Sequence, residues 1–172
     1  RSVLLSAILS SVARGAMMVV PMHVVSAPMP GTGKSFAIDI VSAIGAGERC
    51  PVIAAGRTEE ETEKRLGAVL MKGQAMVSID NVNGELGGDA LCQLVERPTV
   101  HVRVLGQSKV VRIDSRATIF ATGNNIAIKG DLVRRAIVCH MDANVDRPEL
   151  RVFSGDPVAT VLANRGRYIA AA

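Results

Sequence analysis

Apolar and polar positions along the chain follow two periods, which predicts strands interleaved with helices. Short apolar, β-branched runs occupy Met17 to Ser26, Pro51 to Ala55, Ala75 to Ile79, Ala117 to Thr122 and Ala136 to Met141. Helical spacing of apolar residues appears between these runs, for example from about Lys34 to Ile44. Strands that alternate with helices are typical of a parallel sheet with crossover connections. The pattern therefore predicts an α/β fold with a five-stranded parallel sheet.

Capping signals place further helices. Thr58, with Glu61 three residues later, forms a capping box that opens a helix to about Met71. Asp156-Pro157 is an N-cap followed by proline and predicts a C-terminal helix. At the amino end, one helical stripe of apolar residues predicts an amphipathic surface helix, with a secretory signal peptide as the alternative. That stripe consists of Leu4, Leu5, Ile8, Leu9 and Val12.

Two alternating runs predict a β-hairpin between the central strands. Val100 to Leu105 and Val110 to Asp114 flank the segment Gly106-Gln107-Ser108-Lys109. One face of this hairpin is apolar, and Lys109 lies at the predicted tip. The opposite face carries His101, Arg103 and Arg112.

Composition indicates one folded domain with uneven charge. The 172 residues include 48% hydrophobic side chains and carry a net charge of +4. Residues 97–135 hold eight Lys or Arg against two Asp or Glu, so the remaining chain is mildly acidic. Three Phe, one Tyr and no Trp argue against an aromatic platform for single-stranded nucleic acid. Nucleic-acid binding would therefore depend on charge.

Cysteine usage and hydropathy predict a cytoplasmic protein. Cys50, Cys92 and Cys139 lack metal-ligand spacing and sit in apolar runs, as reduced core residues do. No apolar run approaches the roughly 18 residues of a membrane span, so no membrane partner is expected.

The strongest chemical signal is a glycine-rich loop between the first strand and the following helix. It reads Pro30-Gly31-Thr32-Gly33-Lys34-Ser35. Backbone amides free of side-chain bulk at Gly31 and Gly33 would wrap a phosphate at the positive end of the helix. Lys34 would reach the β- and γ-phosphates, and the Ser35 hydroxyl would hold Mg²⁺. Pro28 stands where the strict motif has glycine, which alters the loop entry but not the contacting amides.

A carboxylate at the end of the third strand completes the predicted metal site. Asp80 follows the apolar run that starts at Met76, and an acidic residue there would bind Mg²⁺ directly or through water. The predicted cofactors are therefore ATP and Mg²⁺.

These motifs together resemble the AAA+ branch of P-loop ATPases, with a three-layer αβα core. PGTGKS, SIDN, ATGNN and DLVRR occur in the family's order across residues 17–142. The resemblance implies that Asn124 positions the attacking water and the γ-phosphate. It also implies that Arg134 and Arg135 mark the site of an arginine finger acting on a neighbouring subunit, in a homo-oligomeric ring, commonly a hexamer.

The sequence departs from that family at Asn81. Most relatives carry glutamate there as the base that polarises water, and an amide cannot accept that proton. Glu85 would substitute only if the intervening loop folds back. The motifs therefore predict ATP binding, whereas Asn81 argues against fast hydrolysis.

The hairpin resembles the pre-sensor-1 hairpin of superfamily-three viral helicases and MCM-like helicases. In those relatives it points into a central pore, which implies that Lys109 grips the DNA backbone with Arg103 and Arg112 behind it. The alternative is a sheet extension with an ordinary polar tip. The RPELRVF segment and the motifs above are also similar to phage and prophage primase-helicases.

The expected organisation is an AAA+ core at residues 1–142, with the hairpin insert at about 100–114, and the start of a helical lid, largely absent, at 143–172. The expected function is the ATPase core of a phage-type DNA replication protein. Two alternatives stay open: a hydrolysis-poor nucleotide switch such as a helicase loader or scaffold, and a small-molecule kinase.

Overall fold

The computed structural model describes residues 1–103, 109–152 and 154–172, which form helices on both faces of one sheet. The strands are β1 (Met22–Ala27), β2 (Val52–Ala54), β3 (Met76–Leu86), β4 (Thr99–Arg103), β5 (Val110–Asp114), β6 (Thr118–Ile128) and β7 (Ala136–His140). The α-helices are α1 (Ser2–Val12), α2 (Lys34–Gly45), α3 (Glu59–Leu70), α4 (Asp89–Glu96), α5 (Pro157–Ala163) and α6 (Arg165–Ala171). Short 3₁₀ turns cover Arg14–Ala16, Gly130–Arg134 and Pro148–Leu150.

The main sheet has the order β2-β3-β6-β1-β7, and each neighbouring pair is parallel. This confirms the predicted α/β fold with five parallel strands. Ala27 at the end of β1 lies opposite Asn124 of β6. Because parallel strands end at one edge, the loop after β1 and the polar residues of β3 and β6 meet there.

Apolar residues on both faces of the sheet hold the three layers together. On one face, Ala7 of α1 and Ile38 of α2 pack with the fully buried Phe120. On the other face, α3, α4 and the hairpin share a core around Leu66 and Val100. The predicted cap of α3 is confirmed, because the Thr58 hydroxyl accepts the Glu61 amide at 3.2 Å.

Two strands are longer than the sequence predicts. The apolar runs suggest ends at Ile79 and Thr122, but β3 and β6 continue side by side to Leu86 and Ile128. Asn81 and Asn125 adopt positive φ values of 58° and 50° at these extensions. The register of β3 on β6 shifts twice, and such bulges absorb extra residues without ending the pairing. The polar residues after Ile79 and Thr122 therefore lie in a continued, bulged strand pair and not at strand ends.

Helix α1 forms as predicted, and Leu4, Ile8 and Val12 of the apolar stripe pack against the core. Ser10 and Ser11 are buried, whereas Leu5 and Leu9 are 56% and 40% exposed. A Cβ added at Gly45 of α2 would lie 2.8 Å from the Ser11 Cβ, so the two helices approach closely through small residues. The contact between α1 and α2 therefore buries two serines beside the apolar residues of the stripe.

The hairpin forms a separate two-stranded antiparallel sheet of β4 and β5. Val100 pairs with Ile113 and His101 with Arg112, which confirms the predicted apolar and basic faces. Val102 packs against Gly67 of α3, where a Cβ would collide with it. Residues 104–108, most of the predicted turn, lie outside the described residues.

The C-terminal helices pack on α2. Val158 and Val161 of α5 form a small core with Ala43 and Ile44. Arg165 of α6 donates to the carbonyls of Ile44 and Gly45, both at 2.8 Å. The end of α2, the helix that follows the glycine-rich loop, is therefore held by this part of the chain.

The remaining sequence predictions concern cysteines and membrane segments. Cys50, Cys92 and Cys139 are buried and free, as predicted. Within residues 1–103, 109–152 and 154–172, no helix has the length and hydropathy of a membrane-spanning segment.

Burial of His23 in β1 predicts pH-dependent stability. Its side chain is 1% exposed, shares a 3.1 Å hydrogen bond with the Ser6 hydroxyl and lies beside Phe120. Burial lowers the pKa of His23 from 6.5 to about 4, against a smaller opposing effect of the Pro21 carbonyl. The folded protein therefore keeps His23 neutral where the unfolded chain binds a proton. The resulting stability is complete above pH 6.5 and is lost as the pH falls towards 4.

We expect the free energy of unfolding to fall by up to about 1.4 kcal/mol per pH unit across this window because of His23. Urea denaturation at about pH 7.5 and about pH 5 measures the change. His23→Gln should reduce the pH dependence, whereas His101→Gln, on the exposed hairpin face, should leave it as in wild type. Equal pH dependence in all three proteins would contradict the assignment.

Candidate functional site

The loop between β1 and α2 is built around two glycines in the left-handed region. Gly31 and Gly33 have φ values of 72° and 93°, which glycine adopts readily. Helix α2 begins at Lys34, so its unpaired amino-terminal amides lie next to the loop. All six predicted phosphate-loop residues, Pro30 to Ser35, therefore lie in one turn at the carboxyl edge of the sheet. Such a turn offers backbone donors and a helix end to an anion.

Lys34 connects the loop to the neighbouring strand. Its ammonium group donates to the side-chain oxygen of Asn124 at 2.8 Å, to the Met29 carbonyl at 3.1 Å and to the Thr32 hydroxyl at 3.3 Å. Burial lowers the pKa of Lys34, and the Asp80 carboxylate opposes that shift. The structure thus places a cation between the loop and two strand ends.

Ser35 and Asp80 meet beside this lysine. The Ser35 hydroxyl donates to the Asp80 carboxylate at 3.3 Å, and the buried Thr122 hydroxyl also donates to it. Two residues predicted from separate motifs, 45 positions apart, are therefore in contact.

The donor set fits Mg²⁺, which prefers oxygen ligands and keeps several waters or phosphate oxygens. Ser35 and Asp80 would supply one hydroxyl and one carboxylate oxygen. In the described part of the chain, no cluster of three or more His, Cys, Asp or Glu side chains is placed to hold a metal ion. A cation at Ser35 and Asp80 would therefore complete its shell with waters or phosphate oxygens.

Asn124 is half-buried on β6, between the ends of β1 and β3. It lies opposite Ala27 on one side and Asn83 on the other. Its hydrogen bond with Lys34 links β6 to the glycine-rich loop. Asn83 was not singled out in the sequence, because its position opposite Asn124 depends on the strand extension.

Asn81 and Glu85 occupy different parts of the extended β3. Asn81 follows Asp80 directly and is exposed. Glu85 lies near the end of β3, opposite Ala127 of β6. Its carboxylate forms an ion pair with Lys129 at 2.9 Å. The segment between them runs on as a strand, so it does not fold back to bring Glu85 to Asp80. Glu85 is not placed to replace the missing carboxylate of residue 81.

A cleft of about 830 Å³ lies beside Asn81, between the amino ends of α3 and α4. Its lining includes the acidic residues Glu59, Glu60, Glu63, Glu85 and Asp89. Arg57 and Lys129 are the basic residues in that lining. Phosphate groups would be repelled by this excess of carboxylates, so the glycine-rich loop is the better anion site.

Arg134 and Arg135 lie at the amino-terminal ends of the strands, whereas the glycine-rich loop lies at their carboxyl ends. They immediately precede β7, whose first residue, Ala136, lies beside Met22 at the start of β1. Arg135 is only 14% exposed and binds Glu96 at 2.7 Å and Asp131 at 3.2 Å. Arg134 is 69% exposed and binds Asp131 at 2.8 Å. Neither side chain reaches the loop of its own chain, about 20 Å away along β1.

The predicted nucleic-acid residues are all exposed on the hairpin. Arg103 and Arg112 share its basic face, and Lys109 directly precedes β5. Glu60 of α3 lies nearby: the pKa of its carboxyl is lowered mainly by the Lys64 hydrogen bond and, to a smaller degree, by the charge of Arg103.

Sequence reasoning missed one contact of the glycine-rich loop. The segment after β7 returns to it, and Arg151 donates to the Thr32 carbonyl at 3.2 Å. The backbone of Glu149 lies 2.9 Å from the position that a Cβ of Gly31 would take. The RPELRVF motif marked this segment, but no local pattern indicated what it touches.

Comparison with known proteins identifies the fold rather than a family. No protein-family model matches the sequence, and no curated protein is significantly similar to it. The C-terminal region of NrS-1, in an apo form, matches with a TM-score of 0.61 and 16% identity, over 96% of this chain and 39% of that chain. A JCV helicase structure gives a TM-score of 0.49 and 14% identity, over 80% of this chain and 39% of that chain.

The similarity to the NrS-1 region and the sheet order show a three-layer P-loop NTPase-like fold. At 16% identity it shows the fold alone. The chain spans 39% of the length of that solved structure, so it corresponds to part of it.

Proposed function

We propose that the chain is the ATP-binding core of an AAA+ ATPase from a phage-type DNA replication protein, which couples MgATP to DNA engagement. The observation that supports this best is the bond between Lys34 and Asn124 beside the Ser35–Asp80 contact. A phosphate-binding loop, a metal carboxylate and a polar strand residue are thereby combined at one sheet edge. P-loop ATPases need these three components for phosphoryl transfer.

Each component has a role at the nucleotide. The amides of Gly31 to Ser35 bind phosphate oxygens, and Lys34 exchanges its contact with Asn124 for the β- and γ-phosphates. Ser35 and Asp80 hold Mg²⁺, which neutralises phosphate charge when bound. Asn124 then orients the γ-phosphate and the attacking water. Preorganised groups of this kind stabilise charge that develops during transfer.

The position of the paired arginines supports action on a neighbouring subunit. They lie at the sheet edge opposite the loop, so they serve a nucleotide only if a second copy is placed head-to-tail. Of the two, Arg134 is the exposed side chain and is assigned as the finger, whereas Arg135 anchors the turn to α4. Repeating this contact closes a ring, for which a hexamer is favoured.

The basic hairpin provides the proposed DNA contact. Residues 97–135 carry a net charge of +6, and Lys109, Arg103 and Arg112 are exposed. Such a surface binds phosphates without reading base sequence and depends strongly on salt.

Replacing Lys109 with alanine tests this contact. We expect weaker binding of an oligo(dT) strand and a slope of log affinity against log salt that is shallower by about 0.7 per lost phosphate contact. Fluorescence anisotropy across a salt series measures both. Lys72→Ala is the matched control, because Lys72 is an exposed lysine in the turn after α3. Identical slopes for Lys109→Ala and Lys72→Ala would refute the hairpin assignment.

A nucleotide switch that hydrolyses ATP poorly is the second candidate. Asn81 favours it, because an exposed amide follows Asp80 where a carboxylate base would be needed. In that case MgATP binding would order the ring or load a partner helicase without rapid turnover.

A further inference from the structure

A short segment after β7 lies directly against the glycine-rich loop. The 3₁₀ turn Pro148–Leu150 places the amide nitrogen and Cα of Glu149 each 2.9 Å from the position of a Cβ on Gly31. The missing side chain at residue 31 therefore allows two stretches of backbone to touch. Glycine at position 31 is therefore favoured for two reasons, the close contact with Glu149 and the positive φ.

Arg151 hydrogen-bonds to both stretches of backbone, the glycine-rich loop and the 3₁₀ turn. Its guanidinium donates to the Thr32 carbonyl at 3.2 Å and reaches the Gly31 carbonyl at 3.5 Å. Its Nε donates to the Pro148 carbonyl at 3.2 Å, which ties the side chain to its own turn. When loop amides converge on an anion, the carbonyls of the same peptides point away from it. Arg151 thus binds the outer side of the loop and leaves the amides free.

The far end of the segment is anchored on α2. Asp156 caps α5 through the Val158 amide at 2.9 Å and pairs with Arg49, also at 2.9 Å. Arg49 in turn pairs with Asp39 of α2 at 2.7 Å. The segment therefore contacts both the glycine-rich loop and α2, the helix that follows this loop.

We propose that Arg151 is a positioning residue that holds the glycine-rich loop in its phosphate-binding conformation. The proposal rests on nucleotide binding at this loop. Gly31 and Gly33 give the loop wide conformational freedom in isolation, and ordering it on binding would cost entropy. A guanidinium that ties two successive carbonyls removes much of that freedom beforehand, which raises affinity through preorganisation. In this role Arg151 acts through the backbone of the loop.

Isothermal titration with MgATP and MgADP tests the proposal in wild type, Arg151→Gln and Arg151→Lys. We expect Arg151→Gln to weaken both nucleotides about tenfold, the equivalent of one or two charge-assisted hydrogen bonds. Arg151→Lys should recover part of the loss, since it keeps the charge and one donor. Arg116→Gln, which removes an exposed arginine just before β6, should bind as wild type does.

Hydrogen exchange in the absence of nucleotide separates positioning from general destabilisation. In Arg151→Gln the amides of the 31–34 loop should exchange faster, while those of β1 and β6 and the melting temperature stay near wild type. Equal affinity of Arg151→Gln and Arg116→Gln for MgATP would overturn the proposal and leave the proposed function intact. Uniformly faster exchange with no recovery by lysine would overturn it too. Failure of wild type to bind MgATP would instead reject the proposed function itself.

Discussion

Replacing Lys34 with alanine should weaken MgATP binding by about 100-fold, since several charge-assisted contacts to phosphate are lost together. Lys34 donates hydrogen bonds to Met29, Thr32 and Asn124 in the structure. Its removal also leaves the Asn124 oxygen without this donor and separates the loop from β6. The loss therefore combines missing charge with a less ordered loop.

Titration calorimetry with MgATP measures this loss, and circular dichroism checks that the variant is folded. Lys72→Ala removes the same charge from an exposed turn and should bind MgATP as wild type does. If Lys34→Ala binds as tightly as Lys72→Ala, the phosphate-loop assignment is wrong and the proposed function fails.

Placing glutamate at position 81 should raise ATP turnover by about 100-fold, within the usual contribution of a general base. The new carboxylate would follow Asp80 at the edge that carries Lys34 and Asn124. Asn81 has a φ of 58°, which asparagine tolerates better than glutamate, so part of the gain is offset by backbone strain. Aspartate tolerates a positive φ better than glutamate, but its side chain is shorter. Asn81→Asp should therefore raise ATP turnover less than Asn81→Glu does.

Phosphate release at saturating MgATP, with and without DNA, measures turnover. Asn144→Glu is the control for charge and backbone strain, because Asn144 has a similar φ of 51° on the exposed loop after β7. Slow wild-type turnover that only the residue-81 variants raise would support the nucleotide switch. Fast wild-type turnover, unchanged in Asn81→Glu, would show that the amide does not limit the reaction and would favour the motor.

The candidate site was largely predictable because its signals are local. Gly31, Gly33, Lys34 and Ser35 form one uninterrupted motif, and Asp80 ends an apolar run. Parallel strands have their carboxyl ends at one edge of the sheet, so the residues that follow these strands were expected to lie near one another. The hairpin was predictable for the same reason, since alternation of valines with basic residues is a short-range pattern.

Other features depend on contacts between distant segments. The extension of β3 past Asp80 needs a partner in β6 to pair its bulged backbone, and only that pairing brings Asn83 opposite Asn124. Ser11 of α1 is buried where Gly45 of α2 admits a close approach. No local pattern in the sequence encodes either neighbour.

The paired arginines illustrate the difference between motif and environment. Arg134 and Arg135 are neighbours that both pair with Asp131, yet Arg135 also binds Glu96 of α4 and is 14% exposed, whereas the side chain of Arg134 is 69% exposed. Glu96 is 39 residues from Arg135 along the chain. Their ion pair therefore depends on where α4 packs.

By itself the sequence determined the α/β class, the glycine-rich loop before a helix, the carboxylate that follows the third apolar run and the two-faced hairpin, because side-chain period and backbone propensity act over a few residues. The tertiary structure alone decided which arginine stays exposed, where β3 and β6 end, and that Arg151 ties down the loop at Thr32. Those outcomes depend on which distant groups satisfy a buried or charged atom, and that is settled only when the layers pack.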